Sequence, residues 1–129
     1  MIAPAGRRAG RRQALFLLYQ WDLTGQELAS LYEGEPDEFA RALADAVSSK
    51  AAALDVRITE SSPDWPAERL GTLERNILRI GVYELEEGTV PHEVAINEAV
   101  VLAKRYASED AASLVNGILG RIEREDRAA

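Results

Sequence analysis

Four arginines precede the first acidic side chain of this 129-residue chain: Arg7, Arg8, Arg11 and Arg12 all come before Asp22. The planar guanidinium suits bidentate contact with phosphate and stacking on a base. At about 100° per residue on a helix, Arg8 and Arg12 point almost where Tyr19 points, with Arg7 and Arg11 on the neighbouring lines. A basic stripe leading to an aromatic ring can hold single-stranded RNA, because the cations neutralise phosphates while the ring stacks an unpaired base. The same residues could instead make a solvated, partly frayed end, with Tyr19 as an ordinary packing residue.

Other chemistries find little material. The chain has no cysteine, which excludes disulfides and thiolate metal sites, and its single histidine, His92, leaves little for imidazole ligation. No serine sits in a nucleophile-elbow pattern, and there is no phosphate-binding glycine loop. No enzyme activity, cofactor or metal is expected. The longest apolar runs are far too short to span a bilayer, and the N-terminus lacks a signal-peptide pattern, so a soluble cytoplasmic protein is expected.

The net charge of −7 would by itself repel a phosphate polymer. Its distribution reverses that inference, since one end is cationic and the body anionic. Only Lys50 and Lys104 among the 15 basic residues are lysine.

The elements that must position these residues read as helices throughout. Glycines and prolines punctuate the chain at Gly25, at 34–36, at 61–66, at Gly71 and at 88–91. The pieces between them predict a first helix over 7–23, a short one at 26–32 and a long amphipathic helix over 36–59. A helical turn at 66–70 and helices over 73–86, 91–106 and 108–125 complete the set. Thr72 and Ser108 stand at cap positions. Nothing alternates with period two. With 47% hydrophobic residues, the expectation is one all-α domain over 1–129, a compact bundle of six to seven helices, with residues 1–6 disordered.

Three further groups stand out on these helices. In the last one, Asn116 and Gly117 fall off the face made by Leu114, Val115, Ile118, Leu119 and Ile122. A glycine there costs about 1 kcal/mol of helix propensity, and the spacing favours close packing against another helix over a ligand contact. In the 73–86 helix, Arg75, Arg79 and Tyr83 form one outward line. Glu74 and Glu84 turn toward the apolar side, where a carboxylate needs an arginine or backbone N–H partner. In the helix after Pro91, Asn97, Val101 and Lys104 lie away from the apolar side, and Val94 and Val101 could form a modest patch for another protein.

Three stretches, RRQALFLLYQWDLTG from Arg11, LERNILRIGVYEL from Leu73 and VAINEAVVLAKRYASEDAASLVNGILGRI from Val94, resemble the NusB family. The resemblance covers nearly the whole chain. It implies two packed three-helix subdomains, no enzyme activity, and a transcription antitermination role in which boxA RNA of nascent ribosomal transcripts is bound. The implied partners are the small-subunit ribosomal protein called NusE in that role and the antitermination complex of RNA polymerase. Carried over by position, it implies RNA contacts for Arg7, Arg8, Arg11, Arg12, Tyr19, Asn116 and Gly117, and partner contacts for Glu74, Arg79, Tyr83 and Asp110.

The chain departs from the family pattern in three places. Leu114 replaces the phenylalanine many relatives carry before VNG, the connection at 86–89 is one residue shorter, and residues 108–113 lack a basic side chain. Two other readings remain open: the RNA-binding N-terminal module of a ribosomal RNA methyltransferase, which requires the sequence to be a fragment because a cofactor domain has no room before Ala129, and a helical protein-interaction module without RNA function. A monomer and a homodimer are both compatible with the sequence.

Overall fold

The structure is a computed structural model that describes residues 7–129, so the expectation of disorder over 1–6 lies outside the described residues. Among the described residues there are six α-helices: α1 (Arg8–Thr24), α2 (Glu38–Ser49), α3 (Ala51–Ser61), α4 (Thr72–Glu87), α5 (His92–Tyr106) and α6 (Glu109–Ala128). Two short 3-10 turns, Leu28–Leu31 and Ala67–Arg69, occupy the connections. No strand occurs among the described residues.

The helix limits follow local chemistry. Gly25 and Gly88 adopt left-handed φ values of 75° and 67° and end α1 and α4; glycine takes that conformation without steric cost. Side-chain caps begin two helices: Asp37 accepts from the Ala40 N–H, and Ser108 from the Ala111 N–H, each at 3.0 Å. Such caps contribute about 1 kcal/mol each. Thr72 is not a cap; Gly71 holds that position without a side-chain bond.

The expected single helix over 36–59 is two. At Lys50 (φ −105°, ψ 8°) the N–H is shared between the Ala46 and Val47 carbonyls. Its ammonium ties across to α4, 3.2 Å from Glu87 and over the Tyr83 ring. No glycine or proline marks this bend in the sequence.

In chain order α1–α3 make the first half of the bundle and α4–α6 the second, with α3 packed on α4 and α6 as well as on α2, and a hydrophobic cluster of the described residues runs through both halves. Helix α4 makes the junction, touching α1, α2 and α3 on one side and α5 and α6 on the other. Every residue from Asn76 to Val82 is buried, as expected of a helix enclosed around its whole circumference. Gly81 permits the close approach of α6: a Cβ there would lie 2.6 Å from Leu119 Cδ1. Gly117 has no such duty. It is exposed and a Cβ would meet nothing within 4 Å, which overturns the packing reading of that glycine.

Candidate nucleic-acid interface

The cationic end of α1 is built against the helix's own interest. Its first turn contains no acidic residue and no side-chain cap. Arginines at the positive end of the helix dipole cost roughly 0.3–1 kcal/mol apiece, and an anion bound there would relieve both defects.

The four arginines have different fates. Arg11 is 1% exposed and runs inward. Its Nε and Nη2 donate to the two oxygens of Glu84 on α4 at 2.9 and 2.8 Å, and its Nη1 lies 3.8 Å from Glu98 on α5. The expectation that Arg11 lies on an exposed RNA stripe is therefore corrected: its charge is spent joining three helices. A buried carboxylate and a buried guanidinium each tolerate loss of water because the other replaces it. This is the arginine partner that the inward-turned Glu84 required.

Arg8 reaches the same network from outside. Its Nε donates to both Glu98 oxygens at 3.1 Å, while its side chain stays 54% exposed. Arg7 stacks over Phe39, 4.6 Å from the ring centroid. Arg12 is exposed, with no ion-pair partner among the described residues.

Two clefts flank α1 here. One, of about 280 Å³, lies between α1 and α5 and is lined by Arg8, Arg12, Glu98, Val101, Arg105 and Tyr106, among others. The other, of about 800 Å³, lies between α1 and the start of α2, with Arg7, Arg12, Phe16 and Phe39 in its wall. Arg12 borders both. Phe16, one turn further on, is 42% exposed and meets Tyr106 edge-on at 5.1 Å. The geometry thus joins cations to aromatic rings, but the aromatics are the exposed Phe16 and the half-buried Tyr106 and Phe39. Tyr19 is half-buried on α1 and lines neither cleft.

Sequence reasoning missed Glu98, Arg105, Tyr106, Phe16 and Phe39. A signal existed for two of them: Glu98, Val101, Leu102 and Arg105 recur at steps of three and four, which marks one face of α5. Asn116, Gly117 and Asp110 are exposed on α6 but line neither cleft.

The expected outward line on α4 is also corrected. Arg79 is 5% exposed, and its guanidinium is held by Asp55 (2.7 Å, two bonds) and by Asp22 and Asn76 (3.0 Å each). Burial opposes its charge, but Asp55 and Asp22 more than offset this and hold its pKa above the ordinary arginine value. Arg75 joins the same Asp22 carboxylate. Glu74 and Tyr83 are half-buried. Burial and the neighbouring Glu87 push the Tyr83 hydroxyl pKa up.

No helix among the described residues is long and apolar enough to cross a membrane, and no group of acidic or histidine side chains there could hold a metal ion.

The model of the NusB family matches residues 8–124. The transcription antitermination protein NusB of Rubrobacter xylanophilus is 41% identical over 120 residues, covering 88% of this chain and 86% of its own length. That of Myxococcus xanthus is 36% identical over 130 residues, covering 90% and 93%. Among solved structures, T. maritima NusB matches with a TM-score of 0.81 at 32% identity, covering 92% of this chain and 91% of that one. A chain in the crystal structure of antitermination factors NusB and NusE in complex with dsRNA matches with a TM-score of 0.80 at 30% identity, covering 92% and 96%.

Proposed function

The chain belongs to the NusB family, and we propose that it is a non-catalytic, cytoplasmic transcription antitermination factor that binds boxA-type RNA of nascent ribosomal transcripts. It does so beside a NusE-type small-subunit ribosomal protein, within the antitermination complex of RNA polymerase. The observation that carries this reading is the convergence of Arg8, Arg12 and Arg105 on one cleft with the Tyr106 ring in its wall. Phosphates and an unpaired base are the ligands that use both features. The similar chain solved with NusE and dsRNA supports the choice of partners.

In this reading Arg7 and Arg12 hold the RNA, with Arg8 at the edge of the same cleft, while Tyr19, Asn116 and Gly117 lie along its path. Glu74, Tyr83 and Asp110 face the ribosomal protein. Arg11 and Arg79 act through the fold, since neither reaches solvent.

The deciding experiment titrates labelled boxA-like single-stranded RNA at several salt concentrations, with and without the NusE-type protein. Neutralising three or four phosphates gives a log–log slope of about −2 to −3, and the partner tightens binding if the two surfaces cooperate. Absence of salt-dependent binding even with the partner would reject the reading.

A further inference from the structure

The arginine-rich start of α1 is the obvious source of positive charge, yet half of it is already neutralised inside the protein. Arg8 and Arg11 are matched by Glu98 and Glu84 in a ladder running from the surface at Arg8 to the interior at Arg11. Glu98 is only 5% exposed at its side chain. Water cannot replace Arg8 as its partner without being drawn into the junction of α1 and α5. An RNA phosphate approaching Arg8 therefore meets a guanidinium whose Nε edge is occupied and whose charge is balanced.

Two cations at the same cleft have no such counterpart. Arg12 on α1 and Arg105 on α5 both line it, both are exposed, and neither has a carboxylate partner among the described residues. Arg105 lies 5.8 Å from the centroid of the Tyr106 ring, and Tyr106 packs on Phe16, one turn beyond Arg12. Two guanidiniums from different helices thus flank a space of about 280 Å³ with an aromatic wall. That space suits one phosphodiester, because each guanidinium can offer paired N–H donors to its oxygens. The last turn of α5 does not need Arg105 for its dipole, since the exposed Lys104 serves that purpose equally.

We propose that Arg105, distant in sequence from the arginine-rich start, forms with Arg12 a two-helix clamp for an RNA phosphate in the α1/α5 cleft, with Arg8 supplying little net charge because Glu98 has taken it up. The proposal rests on the RNA-binding reading above and adds to it a residue and a division of charge.

The test compares salt-dependent RNA titrations of the unmodified protein with Arg12→Ala, Arg105→Ala, Arg8→Ala and Lys104→Ala, each in the presence of the partner protein. Arg12→Ala and Arg105→Ala each reduce the magnitude of the log–log slope by about 0.7, the single-strand increment per phosphate contact. Arg8→Ala reduces it by less than half as much, and Lys104→Ala leaves it unchanged. A second measurement does not need RNA: inorganic triphosphate is added to the unmodified protein while the arginine Nε–H resonances are followed. Those of Arg12 and Arg105 move together, and those of Arg8 and Arg11 stay.

An unmodified slope in Arg105→Ala, or an Arg8→Ala loss equal to that of Arg12→Ala, overturns the clamp and leaves RNA binding standing. Failure of the unmodified protein to bind RNA, with triphosphate still moving Arg12 and Arg105, overturns the RNA reading and leaves the clamp. Triphosphate that moves neither resonance overturns the clamp outright.

Discussion

Arg11 and Glu84 stand 73 positions apart in the chain and meet in the interior through two hydrogen bonds of 2.9 and 2.8 Å, joining α1 to α4. The pair is part of what fixes the cationic end of α1 to the second helical group, with Glu98 of α5 beside it.

Removing one member strands the other without water. Arg11→Ala or Glu84→Ala is expected to cost about 3–5 kcal/mol of stability, whereas Arg11→Met combined with Glu84→Leu is expected to be far milder. Denaturant unfolding of the three variants checks this; a single variant within 1 kcal/mol of the unmodified protein, on the order of a surface change, would sink the structural role of the pair.

Asp22 accepts from Arg75, Asn76 and Arg79, each at 3.0 Å, and so ties the end of α1 to the first half of α4. Asp22→Ala is expected to lower stability by roughly 1.5–3 kcal/mol, the range for hydrogen bonds to a charged group. Thermal unfolding reads the loss, and RNA affinity at a temperature where the variant is folded should stay close to normal.

Two of the helical glycines, Gly81 and Gly117, give opposite outcomes. Gly81→Ala forces a methyl group against Leu119 and is expected to cost about 1–3 kcal/mol. Gly117→Ala adds a methyl in open space and is expected to gain about 0.8–1 kcal/mol from helix propensity. If Gly117 lies along the RNA path, that stabilised variant will bind RNA more weakly in the presence of the partner. Stabilisation with unaltered affinity would remove Gly117 from the interface.

Acid should loosen the contact of α3 with the end of α6. Glu125 accepts from Ser61 Oγ at 2.7 Å and from Arg57 at 3.1 Å, with Arg121 at 3.4 Å, and these bonds hold its carboxyl below the ordinary glutamate value. A carboxylate depressed in the folded state contributes stability fully above its unfolded pKa and loses it as the pH falls through the lower folded value. Denaturant midpoints measured across that acidic window should fall less steeply for Glu125→Gln. Identical pH profiles would show that Glu125 contributes nothing to acid stability.

Much of the architecture can be read from residue order alone, because helix signals are local. Gly25 and Gly88 as helix ends, Ser108 as a cap, Pro91 before α5 and the three- and four-residue apolar steps all correspond to features of the structure. The bend at Lys50 escaped, since no glycine or proline marks it and its ties to Glu87 and Tyr83 come from another helix.

The functional surface divides along the same line. The sequence by itself determined that cations gather at one end of an otherwise acidic helical chain and that the last helix presents Asn116 and Gly117 off its apolar face. Only the tertiary structure decided which cations reach solvent. Periodicity gives a side chain's direction about its own helix axis, and it carries no information about how many neighbours enclose that helix. On α4, enclosed from Asn76 to Val82, the outward line that should have carried Arg79 does not exist. On α1, Arg11 turns inward because Glu84 and Glu98 arrive from two other helices to replace its water, while Arg12, one residue on, stays exposed and lines the same cleft as Arg105.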